Sequence, residues 1–79
     1  MVDKQVIIYS LPNWPHCIKA KEYFSQNEIT YTDYDVAQDK AKAKEMVEKS
    51  KQMGTPVIIV DGEMVIGFNQ PKLDKLLGL

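Results

Sequence analysis

Tyr9-Ser10-Leu11-Pro12-Asn13-Trp14-Pro15-His16-Cys17 is the stretch from which the rest of the chain can be read. It follows Val6-Ile7-Ile8, so Val6 to Tyr9 make a continuous apolar run rich in β-branched residues. Such a run suits a strand buried on both faces. Ser10 to Asn13 reads as loop. Pro15 fits the first position of a helix, where its missing N–H costs nothing. Beyond it Cys17, Ala20, Lys21 and Phe24 recur at i, i+3, i+4 and i+7, with Ile18 and Tyr23 beside them. This spacing predicts a helix over about 15–26.

Outward from this unit the pattern continues. Residues 29–36 alternate, with Ile29, Tyr31, Asp33 and Asp35 against Thr30, Thr32, Tyr34 and Val36. β-branched and aromatic residues dominate, which predicts a second, less buried strand. Asp39 suits the cap of a helix over about 39–51, where Ala43, Met46 and Val47 form a narrow apolar stripe. Lysines 40, 42, 44, 49 and 51, with Glu45 and Glu48 among them, read as its solvated face. Val57 to Val60 reads as a third buried strand. Asp61-Gly62 is a two-residue hairpin signal, and Glu63 to Ile66 returns as a fourth strand. Pro71 opens a last helix with Leu73, Leu76 and Leu77 as its stripe, and Gly78 closes it.

The order is β-α-β-α-β-β-α. A βαβ crossover is right-handed, which makes the first two strands parallel neighbours. The expected fold is α/β: a four-stranded mixed sheet with helices on both faces. With 79 residues, 1–79 is expected to be one domain around one modest core. A hydrophobic share of 44% and a charged share of 27% argue against disorder. A net charge of -1 gives no field that favours nucleic acid or an anionic membrane. No apolar run approaches the ~20 residues of a membrane span. The N-terminal stretch has no signal-peptide pattern, so the expected location is the cytoplasm. One cysteine excludes a disulfide framework.

The motif lacks only its first sulfur to read Cys-Pro-His-Cys. A Cys-x-x-Cys pair at a helix start has a physical logic. Free N–H groups and the helix dipole stabilise a thiolate on the first cysteine. The second, one turn along and more buried, attacks the mixed disulfide and releases product. Proline between them starts the helix, and a histidine adds partial positive charge. By itself Cys17 reads as a small buried hydrophobe, because a resolving thiol without a partner has nothing to resolve. His16 alone reads as a solvent-exposed residue of the loop–helix junction.

Tyr9-Ser-x-Pro-x-Trp14-Pro15-x-Cys17, followed by Lys19-Ala20-Lys21, resembles the glutaredoxin family of the thioredoxin superfamily. The likeness runs down the whole chain. Thr55-Pro56 before a buried strand, the Asp61-Gly62 hairpin and Gly67-Phe68-Asn69 before a Leu-rich helix are similar to short bacterial glutaredoxin-like proteins. The last stretch is also similar to redoxins that feed electrons to ribonucleotide reductase. The resemblance implies a thioredoxin fold and a monomeric thiol–disulfide oxidoreductase without a metal. Its electrons would come from glutathione or a thioredoxin-type reductase, and its substrates would be protein disulfides or glutathione mixed disulfides. It makes position 14 the nucleophile, Cys17 the resolving thiol and Pro56 a cis proline facing them, with Pro15 and His16 completing the motif. Thr55 would pair its backbone with a bound glutathione or peptide. Gln52 lies at the family's glycyl-carboxylate position, and Asn69 and Gln70 lie near its γ-glutamyl site. Asn69 equally suits a helix cap, and Gly67 a turn. Two departures stand out: Leu11 replaces an upstream lysine, and the Cys-Asp or Thr-Asp of stricter members is missing from the last site.

Trp14 is the decisive departure. Indole forms neither thiolate nor disulfide, so no thiol exchange runs from position 14 in this chain. Three explanations stand: a deliberate substitution, a recoded residue, or a natural non-redox relative with an aromatic in its groove. Tryptophan, cysteine and selenocysteine are read from codons that differ only in the third base. Glutaredoxins with selenocysteine in the first motif position are a known variant. Because Pro15, Cys17, Thr55 and Pro56 stay in register, the first two explanations rank above the third. The competing class is a binding module that holds glutathione or an extended peptide in a groove at Trp14, Thr55 and Pro56 without turnover.

Overall fold

The two most apolar runs of the chain pair with each other at the centre of the sheet. The computed structural model describes residues 4–79. Its elements are β1 (Val6–Ser10), α1 (Pro15–Gln26), β2 (Thr32–Asp35), α2 (Lys40–Ser50), β3 (Val57–Val60), β4 (Glu63–Ile66) and α3 (Gln70–Leu77). The sheet order is β2-β1-β3-β4. β1 runs parallel to β2 and antiparallel to β3, and β3 and β4 form an antiparallel hairpin. This is the four-stranded mixed sheet expected from the element order, with the parallel β1–β2 pair and the antiparallel hairpin in place.

Side chains alternate across a strand, and the register turns that alternation into two cores. Val6 and Ile8 lie opposite Val60 and Ile58. These residues join Ala20 and Phe24 of α1 and Leu73 and Leu77 of α3 in one buried cluster. Ile7 and Tyr9 lie opposite Ile59 and Val57, and with Met46 and Val47 of α2 they form the second. Ile8, Phe24, Ile58 and Leu73 are wholly buried. Burying each such side chain contributes about 1.5–3 kcal/mol before entropy is counted.

The punctuation follows side-chain chemistry. Asp61 and Gly62 both take left-handed backbone angles, φ 47° and 87°, which a tight hairpin of matching twist requires. Asp39 caps α2 by accepting the Lys42 N–H at 3.1 Å, and Asn69 caps α3 by accepting the Lys72 N–H at 3.3 Å. α3 begins at Gln70, with Pro71 inside its first turn.

Two expectations are corrected: Ser10 belongs to β1 and not to the loop after it, and the second strand is shorter. The second strand is Thr32–Asp35 and not 29–36. The Ile29 N–H donates to the Phe24 carbonyl at 2.8 Å, which ties that residue to the end of α1. Buried Ile29 and half-buried Tyr31 pack into the first cluster. Their alternation is satisfied by packing, without strand pairing.

The second core carries one polar unit. The Tyr9 hydroxyl donates to Glu45 Oε2 at 2.7 Å, and Lys42 approaches the same oxygen at 3.3 Å. The Lys42 ammonium also sits 4.2 Å from the centre of the Tyr34 ring. The Tyr9 hydroxyl, and then Lys42, hold the Glu45 carboxyl below the usual carboxylate range. Burial and the Glu45 acceptor push the Tyr9 phenol up.

Two outcomes are expected. Phe24→Ala empties a wholly buried aromatic site and should cost about 3–5 kcal/mol in urea unfolding. A smaller loss would mean that α1 is held mainly by other contacts. The Glu45 contribution is present above the ordinary carboxylate pKa and is lost as pH falls through its depressed folded value. Glu45→Gln should therefore flatten the acid limb of stability against pH, as read by urea midpoints from neutral pH downward.

Candidate active site

The motif sits where β1 ends and α1 begins. Trp14 occupies the N-cap position of α1 with extended backbone, φ -89° and ψ 126°, and its side chain makes no capping hydrogen bond. Pro15 is the first helical residue, as its fixed φ favours. The Trp14 carbonyl starts the helical ladder by accepting the Ile18 N–H at 3.0 Å. Trp14 is half-exposed and stands edge-on to the His16 ring at 6.3 Å. Cys17, by contrast, is wholly buried and is a free thiol. The sulfur accepts the Leu11 backbone N–H at 3.5 Å.

Thr55-Pro56 is a cis peptide bond. Pro56 is buried and Thr55 half-buried. The Gly67 N–H donates to the Pro56 carbonyl at 2.8 Å, so these two residues are brought together at the ends of β3 and β4. Gly67 has φ 75°, which makes it the turn after β4. Among the described residues the Thr55 backbone has no backbone partner, which leaves it able to pair with an added extended segment. Gln52 is exposed in the loop before Thr55, and its carbonyl accepts the Ser50 hydroxyl. Asn69 and Gln70 begin α3, and the Asn69 side-chain oxygen is committed to the helix cap.

Three features were not read from the sequence. An apolar recess of about 240 Å³ is lined by Leu11, Pro12, Asn13, Trp14 and Ala37. Ala37 comes from the turn after β2, and no signal in a lone alanine foretells it. Ser10 extends β1 by one residue and is wholly buried. Its hydroxyl donates to Asp33 Oδ1 at 2.7 Å, and Lys21 of α1 pairs with Asp33 Oδ2 at 2.8 Å. The only hint was a polar residue that ends an apolar run.

Among the described residues no three His, Cys, Asp or Glu side chains stand together as a metal site. No helix among them is long and apolar enough to cross a membrane.

A βαβαββα sheet with a motif at the first strand–helix junction, a buried cysteine one turn in and a cis proline before the third strand defines a thioredoxin-type redox scaffold. The glutaredoxin family model matches residues 6–65. The chain belongs to the glutaredoxin family, whose members are thiol oxidoreductases. It is 46% identical to an uncharacterized glutaredoxin-like 8.6 kDa protein from the rubredoxin operon of Clostridium pasteurianum, over 89% of this chain and 93% of that one. It is 37% identical to glutaredoxin 1 of Rickettsia prowazekii, over 91% of this chain and 85% of that one. Among solved structures, the thioredoxin-like protein BC3987 superposes with a TM-score of 0.86 at 33% identity. The match covers 92% of this chain and 100% of that one.

Trp14 is half-exposed and caps nothing, so the fold does not depend on its indole. Trp14→Ala should change the unfolding free energy by less than about 1 kcal/mol. A loss of several kcal/mol would show that the indole is a structural element of the loop.

Proposed function

We propose that this chain is the scaffold of an oxidoreductase that reduces protein disulfides or glutathione mixed disulfides, with residue 14 as its nucleophile position. The observation that carries the reading is the placement of residue 14. It lies at an uncapped helix start, immediately before Pro15 and one turn ahead of the buried Cys17 sulfur. With cysteine or selenocysteine there, the anion would be favoured by the helix amides and dipole. It would attack one sulfur of the substrate disulfide and release the other as a thiol. Cys17 would then displace the substrate from the mixed species and leave an intramolecular bond to residue 14. Glutathione or a thioredoxin-type reductase would return two electrons and restore the reduced pair.

Tryptophan cannot form the first bond, so in this reading the chain is inactive or impaired in thiol exchange. We read Trp14 as standing for cysteine or, through the shared codon root, selenocysteine. The glutathione groove of this reading consists of Gln52, Thr55, Pro56, Gly67, Asn69 and Gln70, and the protein works in the cytoplasm. Leu11 and the missing acidic residue of the last site weaken glutathione recognition, which keeps the reductase route and ribonucleotide reductase as a partner open. The second reading is a groove that binds an extended peptide or glutathione without turnover. It is favoured by the half-exposed indole and by the Thr55 backbone, which has no backbone partner among the described residues.

Two measurements decide between them. Trp14→Cys should gain reduction of insulin or of a glutathione mixed disulfide by at least about a hundredfold over the tryptophan form. No gain in turnover would count against the redox reading. The intact mass of the protein from its native host, with its isotope envelope, should fit selenocysteine or cysteine. A mass that fits tryptophan, together with measurable glutathione binding, would establish the binding module.

A further inference from the structure

Cys17 is held by a closed ring of contacts that the redox motif does not include. Ser10 is, among the described residues, the buried polar residue of the core. A buried hydroxyl is costly unless bonded, and this one is committed to Asp33. Asp33 spends its second oxygen on Lys21, one helical turn beyond Cys17 on α1. The Ser10 carbonyl accepts the Val36 N–H at 3.0 Å. That carbonyl and the Leu11 N–H belong to one peptide unit. The unit is planar and its two polar groups point opposite ways. Fixing the carbonyl on the β2 side therefore aims the Leu11 N–H away from β2, where it meets Cys17 Sγ at 3.5 Å. The ring closes through α1 from Cys17 to Lys21, then through Asp33 back to Ser10.

We propose that Ser10 is a positioning residue for the Cys17 sulfur, acting through the Leu11 amide, with the Lys21–Asp33 pair holding the Ser10 hydroxyl in place. An N–H donor bonds a thiolate sulfur more strongly than a disulfide sulfur. The contact therefore favours the reduced state of the site and makes the Cys17 sulfur a better leaving group when the reducing thiol attacks residue 14 and breaks its bond to Cys17. The charged and titratable groups around the ring are His16, Lys19 and Lys21 on α1 and Asp33 and Asp35 on β2. The Tyr9 hydroxyl of β1 turns instead to Glu45 on α2. Ser10→Ala leaves each of these formal charges in place and removes one hydrogen bond to Asp33. The consequence for catalysis rests on the oxidoreductase reading above. The positioning itself does not.

The test has two arms. In the chain with Trp14, ¹H–¹⁵N spectra and amide exchange follow Leu11. Ser10→Ala should shift its resonance and speed its exchange at least about threefold, the order expected from one weakened hydrogen bond. Ser10→Thr, which keeps the hydroxyl, should restore both. The variant removes the buried hydroxyl together with its need for a partner and leaves Asp33 paired with Lys21, so it should fold. In the Trp14→Cys background, Ser10→Ala should move the dithiol–disulfide equilibrium against glutathione toward the disulfide by about threefold. An unchanged Leu11 amide in Ser10→Ala, or a Ser10→Thr protein that behaves like the alanine variant, would overturn the proposal. A perturbed Leu11 amide alongside a Trp14→Cys form without redox activity would sink the oxidoreductase reading and leave the positioning role standing.

Discussion

Everything in this molecule hangs from the antiparallel pairing of β1 with β3. Both strands are apolar on both faces, and their register sets Val6 and Ile8 beside Val60 and Ile58, with Ile7 and Tyr9 beside Ile59 and Val57. A sheet built this way must be covered twice, because either uncovered face would leave a row of aliphatic side chains in water. α1 and α3 cover one face and α2 the other. The edges fall to the more polar strands. β2 reads Thr-Asp-Tyr-Asp, and on β4 Glu63 and Ile66 are exposed.

That pairing also fixes where chemistry can happen. β1 ends at Ser10 because the next residues must leave the sheet to reach the start of α1. β3 runs the other way, so Tyr9 near the end of β1 lies opposite Val57 at the start of β3. The residue before Val57 is Pro56. The loop that carries Trp14 and the loop that carries Thr55 therefore emerge at the same end of the sheet. The motif and the cis proline lie far apart in the chain, and the central register brings their loops to one rim.

The sequence was most legible where burial on both faces left no freedom. Val6 to Tyr9 and Val57 to Val60 can be little other than central strands, and Asp61-Gly62 is a hairpin because both residues must take positive φ. The helix at Pro15 was equally plain, because proline and the recurrence of Cys17, Ala20 and Phe24 at helical spacing agree. Residues 29–31 misled because alternation records which side chains are buried, and not what buries them. Ile29 reaches the core from the end of a helix as readily as from a strand. The Ser10–Asp33–Lys21 ring was invisible for a related reason. Three polar residues on three elements carry no periodicity, and only the parallel β1–β2 pairing brings Ser10 and Asp33 together. The strand end, the loop and the proline-started helix around Trp14 were legible from Val6 to Cys17.

That first position is where the physical chemistry and the side chain disagree. A helix start leaves N–H groups without intrahelical partners, and most helices satisfy one of them with a serine, threonine, aspartate or asparagine oxygen. α2 and α3 of this chain do so with Asp39 and Asn69. α1 places an indole there, which accepts no hydrogen bond, and its first turn contains no acidic side chain. A chain that caps its other two helices with care leaves uncapped the one helix whose first turn carries a buried thiol. A thiolate or selenolate at residue 14 would supply the missing acceptor and the negative charge that the helix dipole favours. The N-cap of α1 is thus the one place among the described helices where the backbone offers N–H groups and the side chain returns no acceptor.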